Sequence, residues 1–186
     1  MTKLTHITKL TQLANQYTSD KGTEHYEAHG YTEEYAKYIP ENGEFNLLEI
    51  GIWHGDSLKM WHNYNPQLKI DAIDIDPNVT NFFKEMDGVN VFIGDAANHE
   101  FLKSITEDKQ YDFIVDDGSH THSDIIASFK FLYGKLKIGG LYFIEDLHAG
   151  HANKPKVIED LHLWLEDKNV RSFTELCNGK LVMIKK

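Results

Sequence analysis

Two apolar segments of the chain each end in a pair of acidic residues, a pattern that suits a cation. Asp116 and Asp117 follow one segment, and Glu145 and Asp146 follow the next. If the segments are adjacent parallel strands, their ends share one crevice and four carboxylates meet there. Carboxylate oxygens are ligands for a hard divalent cation such as Mg²⁺, which would offset the repulsion. The alternative, acids that only cap helix starts, explains poorly why the pairing occurs twice.

Histidines accompany these acids. His120 lies three residues beyond Asp117, where an imidazole can act as a general base near neutral pH. For His122, His148 and His151 the sequence leaves two alternatives open, a place in the site or a position at a helix start or on the surface.

A glycine-bearing loop follows the first apolar run, in the segment Glu49-Ile50-Gly51-Ile52-Trp53-His54-Gly55. Gly51 and Gly55 allow a tight turn and a close approach to a ligand, and the N–H groups that begin the next helix suit an anionic group. The dinucleotide fingerprint G-x-G-x-x-G and the lysine-bearing phosphate loop are both absent from the sequence. An ordinary strand-to-helix turn is the alternative here.

Single acids at the ends of the second and third apolar runs suit a nucleoside. Asp74 would accept both hydroxyl protons of a ribose, and Asp95 with Ala96 would contact an adenine edge. Taken singly, such acids are more often turn or cap residues. Their recurrence after successive strands favours the nucleoside interpretation.

The elements that must position these residues alternate along the chain, which predicts a doubly wound α/β fold with a parallel sheet. The five predicted parallel strands are Phe45–Ile50, Ile70–Ile75, Val89–Ile93, Tyr111–Val115 and Leu141–Ile144. The predicted helices between and after them are Ser57–Tyr64, Val79–Met86, Asn98–Ile105, Ser123–Leu136 and Lys156–Asp167, with Gly139-Gly140 ending the fourth.

Both ends of the chain add to this core. Val170–Leu176 and Lys180–Ile184 are joined through Asn178-Gly179, which predicts an antiparallel hairpin and brings the sheet to seven strands. Helices over Leu4–Gln16 and Thr32–Tyr38 predict a short N-terminal helical cap. We therefore expect one domain over 1–186, with a cap and lid segment over 1–45 and a core over 46–186.

Composition excludes several classes of protein. The 186 residues carry 29 acidic and 19 basic side chains, a formal net charge of -10 that disfavours nucleic-acid binding. The sequence shows no membrane span of about 18 apolar residues and no signal peptide. Its single cysteine cannot form an internal disulfide, so we expect a cytoplasmic protein.

Taken together, these motifs resemble a known family. Glu49-x-Gly51-x-x-x-Gly55, Asp74 and Asp95 are similar to the nucleotide half of class I S-adenosylmethionine-dependent methyltransferases. More narrowly, the sequence resembles the metal-dependent macrolide sugar O-methyltransferases of the mycinamicin and demethylmacrocin type, with the cephalosporin hydroxylase group as a close relation. The segments that carry this likeness are Asp116-Asp117-Gly118-Ser119-His120, Gly139 to Asp146, and Tyr17-Thr18-Ser19-Asp20-Lys21-Gly22.

The resemblance implies a Rossmann-like sheet and a role for each motif residue. The implied S-adenosylmethionine-binding residues are Glu49, Gly51, Gly55, Ser57, Asp74, Asp95, Ala96 and Asp116. The implied ligands of Mg²⁺ or another hard divalent cation are Asp117, Glu145 and Asp146, and the implied base is His120.

We therefore predict a metal-assisted O-methyltransferase that acts on a hydroxyl of a sugar, glycoside or similar small molecule with vicinal hydroxyls. A small-molecule or saccharide acceptor is the expected partner, with neither nucleic acid nor membrane, and homo-oligomerisation is left open. Two alternatives stand beside this prediction. One is a nicotinamide-dependent oxidoreductase on a similar sheet, and the other is a non-catalytic module that binds S-adenosylmethionine.

Overall fold

Seven strands form a single sheet in the computed structural model, which describes residues 7–81, 86–148, 152–168, 170 and 172–186. The strands are β1 (Asn46–Ile50), β2 (Lys69–Asp74), β3 (Val89–Ile93), β4 (Tyr111–Asp116), β5 (Leu136–Ile144), β6 (Phe173–Leu176) and β7 (Leu181–Lys185). Their order is β3-β2-β1-β4-β5-β7-β6. The first five are parallel, and β7 runs antiparallel to both β5 and β6. The predicted fold class is confirmed.

Helices cover both faces of this sheet. They are α1 (Lys9–Gln16), α2 (Tyr31–Tyr35), α3 (Asp56–Tyr64), α4 (His99–Thr106), α5 (His122–Leu132) and α6 (Lys154–Asp167). Consecutive strand residues point to opposite faces, so Leu47 packs with α1, α2 and α3 while Leu48 packs with α4, α5 and α6. β1, β4 and the end of β5 are buried on both faces, which explains why these segments are mostly apolar.

The strand after α5 begins earlier than the sequence predicts. The helix ends at Leu132, a 3-10 turn covers Tyr133–Lys135, and β5 begins at Leu136. The prediction that Gly139-Gly140 ends the helix is therefore wrong. The two glycines lie inside β5, where Gly139 has φ +83° and the pairing shifts between Tyr111↔Leu136 and Phe113↔Leu141. They accommodate a strand irregularity rather than a helix end.

The C-terminal hairpin forms as predicted, with a longer connection. A 3-10 turn covers Cys177–Gly179, and all three of its residues have positive φ. Asn and Gly tolerate this conformation, which explains why the Asn-Gly pair marks the turn.

The N-terminal cap packs on the sheet through buried apolar and aromatic residues of α1 and α2. Thr8 caps α1 by accepting a hydrogen bond from Thr11 N, and Leu10, Tyr31 and Tyr35 are fully buried. The predicted start of α1 at Leu4 lies outside the described residues. So do residues 82–85 of the helix predicted over Val79–Met86, while a 3-10 turn at Pro77–Asn81 covers its start. No described helix is both long and apolar enough to cross a membrane.

Candidate active site

A cavity of about 620 Å³ opens at the carboxyl ends of the parallel strands, beneath the cap segment. The strand order reverses between β1 and β4, and ligands of open α/β sheets bind at such a switch point. The predicted residues that line the cavity are Gly51, Ser57, Asp74, Asp95, Ala96, Asp116, Asp117, His120 and Asp146. Strand ends that are distant in sequence therefore meet in one place.

The glycine loop brings β1 and β4 into close contact. Gly51 has φ +90°, and a Cβ atom there would collide with the backbone carbonyl of Asp117. Gly55, with φ +74°, begins α3. Both glycines therefore occupy backbone conformations that other residues rarely adopt.

Asp74 organises this loop from the end of β2. Its Oδ2 accepts hydrogen bonds from the N–H groups of Ile52 (2.8 Å) and Trp53 (3.2 Å). Asp95 plays a smaller local role, because its Oδ1 accepts a hydrogen bond from Ala97 N at 2.8 Å. Both acids thus make turn contacts while lining the cavity, and their contacts with ribose and adenine stay predictions.

Two further predicted residues are buried acids. Glu49 is fully buried beneath the cavity, where it accepts hydrogen bonds from Ser57 Oγ (3.0 Å) and Trp61 Nε1 (3.4 Å). Burial raises the pKa of Glu49 to about 7. Burial likewise raises the pKa of Asp116 to about 6, although Ser128 Oγ donates to it at 2.6 Å. In this geometry Glu49 acts on the cavity through Ser57, and its direct contact with a cofactor stays a prediction.

Three predicted site residues converge on a point that could hold a cation. His120 Nε2 lies 3.7 Å from Asp117 Oδ1 and 3.9 Å from Asp146 Oδ2, and one donor atom from each lies within 4.8 Å of the others. His120 and Asp146 both have positive φ, at +56° and +55°. Backbone strain of this kind is concentrated at functional sites. Two carboxylate oxygens on the cavity wall fit the donor preference of Mg²⁺.

Glu145 faces a different partner, a lysine that the sequence analysis did not assign to the site. The Lys21 side chain is 1% exposed, and its Nζ donates to Glu145 Oε2 at 2.8 Å and to Asp117 Oδ2. Tyr35 OH donates to Glu145 Oε1 at 2.5 Å. Both Glu145 oxygens are therefore engaged, and Glu145 lies outside the metal-capable groups found among the described residues. The surplus of acids at the strand ends could have predicted such a lysine, because closely spaced carboxylates require a cation.

The pKa values of Lys21 and Glu145 depend on burial and on the acids around them. Burial opposes the charge of Lys21, but Asp117, Glu145 and Glu49 outweigh it and hold the lysine pKa well above its usual value. Burial also raises the pKa of Glu145, with the charge of Asp117 acting in the same direction. Three acidic side chains thus share one buried ammonium.

Asp146 has a second set of neighbours on the side of the cap. Tyr31 OH donates to Asp146 Oδ1 at 2.6 Å, and His29 Nε2 and His148 Nδ1 lie 3.6 Å and 3.8 Å from the same oxygen. His148 thus belongs to the site region. His122 instead pairs with Asp160 Oδ2 at 2.8 Å, which joins α5 to α6, and His151 lies outside the described residues.

Sequence comparison identifies the class of protein that carries this site. A sequence profile for a methyltransferase domain matches residues 48–147, which include the glycine loop and both acid pairs. The chain therefore belongs to this methyltransferase family. This match contradicts the alternative prediction of a nicotinamide-dependent oxidoreductase.

Two curated proteins and one solved structure are similar to most of this chain. The chain is 31% identical over 152 residues to mycinamicin VI 2''-O-methyltransferase of Micromonospora griseorubida, a match covering 76% of this chain and 37% of that protein. It is 31% identical over 151 residues to demethylmacrocin O-methyltransferase of Streptomyces fradiae, with the same coverage. The crystal structure of a methyltransferase from the mycinamycin biosynthetic pathway, in complex with Mg and SAH, superposes with a TM-score of 0.78 at 25% identity. That match covers 96% of this chain and 55% of the other, so the chain spans little more than half of its solved relative and about a third of the curated ones.

Proposed function

We propose that this chain transfers the methyl group of S-adenosylmethionine to a hydroxyl of a sugar, glycoside or similar vicinal-hydroxyl compound, assisted by Mg²⁺ or another hard divalent cation. The observation that carries the proposal is the convergence of Asp117, His120 and Asp146 in the cavity at the switch point of a methyltransferase-family sheet. Relatives named as O-methyltransferases of mycinamicin VI and demethylmacrocin, and a similar fold solved with Mg and SAH, support it.

The cofactor would lie across the ends of β1, β2 and β3. Gly51 and Gly55 leave room for the methionine part beside the start of α3, whose N–H groups suit its carboxylate. The Asp74 carboxylate is fixed by the glycine loop and faces the cavity, where it can accept the ribose hydroxyls. Asp95 and Ala96 would contact the adenine, and Ser57 and Asp116 complete the walls.

When bound, S-adenosylmethionine supplies the electrophilic methyl group and the divalent cation lowers the pKa of the acceptor hydroxyl. Asp117 and Asp146 would hold the cation. His120 Nε2 would take the hydroxyl proton, and both carboxylates stabilise the resulting imidazolium because they lie within 4 Å of that nitrogen. Methyl transfer to the acceptor oxygen would leave S-adenosylhomocysteine as the second product. Glu145 stays a predicted ligand, whose use requires Lys21 to give up its hydrogen bond.

Asp117→Asn tests the proposal because it keeps the shape of the side chain and removes its charge. We expect Mg²⁺-dependent methyl transfer to a panel of glycosides to fall at least about 100-fold, since one ligand and one imidazolium partner are lost. Calorimetric titration with S-adenosylhomocysteine should still show binding. Asp108→Asn, at an exposed acid outside the cavity, is the matched control.

Full Mg²⁺-dependent transfer by Asp117→Asn would contradict the assigned cation site. Binding of S-adenosylhomocysteine by the unaltered chain, without transfer to any acceptor, would favour the non-catalytic module. For the other partners, we expect no binding of nucleic acid, because the net charge is -10.

A further inference from the structure

We propose that His29, Asp146 and His148 form a second cation site, separate from the group around His120, that takes a borderline transition-metal ion such as Zn²⁺. One donor atom from each of these three side chains lies within 4.8 Å of the other two. The assignment uses only these side chains, so it does not depend on methyl transfer, although Asp146 is shared with the group proposed for Mg²⁺.

The separations match those of atoms that bind one ion. His29 Nε2 and His148 Nδ1 lie 3.6 Å and 3.8 Å from Asp146 Oδ1, too far for direct hydrogen bonds and too close for an intervening water. Ligands about 2.1 Å from a tetrahedral Zn²⁺ lie roughly 3.4 Å apart. The two separations from Asp146 Oδ1 therefore exceed this spacing by only a few tenths of an ångström.

The spacing of the two imidazole rings is also compatible with a shared ion. Their centroids are 5.0 Å apart, with an interplanar angle of 63°. Two imidazoles that bind one tetrahedral ion through nitrogen place their centroids about 5 Å apart, given metal–nitrogen bonds of about 2.1 Å.

Surrounding groups hold this arrangement in place. Tyr31 OH donates to Asp146 Oδ1 at 2.6 Å, the kind of outer hydrogen bond that orients a metal-binding carboxylate. The His29 ring stacks on the Tyr31 ring with centroids 5.1 Å apart. His29 Nδ1 is buried with no hydrogen-bond partner among the described residues, so within them the polar contact of this ring is the one through Nε2.

The ligand types select the metal. Two imidazoles and one carboxylate suit Zn²⁺ and similar borderline ions, whereas Mg²⁺ prefers oxygen. The two groups use different oxygens of Asp146, with Oδ1 facing His29 and His148 and Oδ2 facing His120. Since His29 belongs to the cap segment and His148 follows β5, an ion bound here would tie the cap to the sheet.

Cobalt substitution tests the site, because Co²⁺ in a tetrahedral nitrogen and oxygen environment absorbs visible light. The metal-free chain would be titrated with Co²⁺, and Zn²⁺ would then be added to displace it. We expect one tight equivalent with a visible band that Zn²⁺ abolishes. His29→Ala and His148→Ala should each weaken binding at least about tenfold.

Two matched controls locate the ion. His120→Ala removes an imidazole from the neighbouring group, and His122→Ala removes one paired with Asp160 outside the cavity. Both should keep the band. Thermal unfolding of each variant checks the fold, and His29→Gln replaces His29→Ala if the smaller side chain destabilises the chain.

Unchanged Co²⁺ affinity in His29→Ala and His148→Ala would overturn the inference, and so would the absence of a tight equivalent in the unaltered chain. Loss of the band in His120→Ala would place a single ion across both groups, which also contradicts a separate second site. Loss of methyl transfer alone, with the Co²⁺ results as expected, would count against the proposed function and leave this site standing.

Discussion

Lys21 shows how one residue can balance a site whose acids lie far away in sequence. Its ammonium is 1% exposed and pairs with Glu145 and Asp117, which lie 124 and 96 residues further along the chain. A buried ion pair adds little net stability, but removing one partner leaves an uncompensated charge in a medium that solvates it poorly. Lys21 therefore couples the cap segment to the acidic ends of β4 and β5.

Lys21→Met should destabilise the chain by about 3–5 kcal/mol in metal-free buffer, because the buried carboxylates lose their only close ammonium among the described residues. Urea unfolding followed by circular dichroism measures the change. Lys37→Met is the control, since Lys37 pairs with Glu34 at the surface and should change stability little. Equal stability of the two variants would contradict the role given to Lys21.

At the scale of elements, the site depends on how closely the ends of β1 and β4 approach. Gly51 N donates to Ile73 O at 2.8 Å, and its Cα faces the backbone of Asp117 without room for a side chain. The contact fixes the backbone of an acid in the candidate cation group. A change in the glycine loop is therefore transmitted directly to the end of β4.

Gly51→Ala should cost roughly 2 kcal/mol or more and weaken the binding of S-adenosylhomocysteine, because φ +90° is strained for alanine and the new methyl group collides with Asp117. Urea unfolding and calorimetric titration measure the two effects. Gly134→Ala, at a glycine with open space around its Cα, should leave both close to the original values. If the two variants behave alike, the close approach is not what Gly51 supplies.

Sequence patterns predicted the elements whose formation depends on neighbouring residues in the chain. Continuous apolar runs identified the parallel strands, and the Asn-Gly pair identified the hairpin. Gly139-Gly140 misled the prediction because two glycines end a helix or deform a strand equally well, and only the pairing of β5 with β4 decides.

Within each acid pair, the partner of each acid depends on tertiary contacts that no local sequence pattern shows. Consecutive residues at a strand end project to opposite sides. Asp116 accordingly meets Ser128 while Asp117 meets Lys21, and Glu145 is engaged by Lys21 and Tyr35 while Asp146 faces His120. The sequence could predict an acidic crevice, but not which acid of each pair would be free to bind a cation.

For the molecule as a whole, the net charge of -10 conceals acids that differ in their effect on folding. Half of those in the described residues are exposed, but Glu49 is fully buried and its pKa rises from 4.5 to about 7 because burial disfavours the charged form. Between those two values the folded chain holds a proton that the unfolded chain has lost. The contribution of Glu49 to stability is therefore highest below pH 4.5 and falls as the pH rises towards 7.

Glu49→Gln should remove this pH dependence, because glutamine has the same shape and does not ionise. Relative to the unaltered chain, the variant should gain up to roughly 3 kcal/mol in free energy of unfolding as the pH rises from about 4.5 to above 7. Urea unfolding at several pH values in metal-free buffer measures the difference. The exposed Glu166→Gln serves as the control and should run parallel to the unaltered chain. A constant difference between Glu49→Gln and the unaltered chain would contradict the prediction.

The position of β7 also bears on how the chain is made. It lies between β5 and β6, although it follows both in sequence. On a ribosome, which releases the chain from its N-terminal end, β5 has an unpaired edge and β6 has no neighbour until the residues of β7 emerge. Unpaired edges can pair with other chains. Until β7 has been synthesised, the edge of β5 therefore stays open to pairing with other chains.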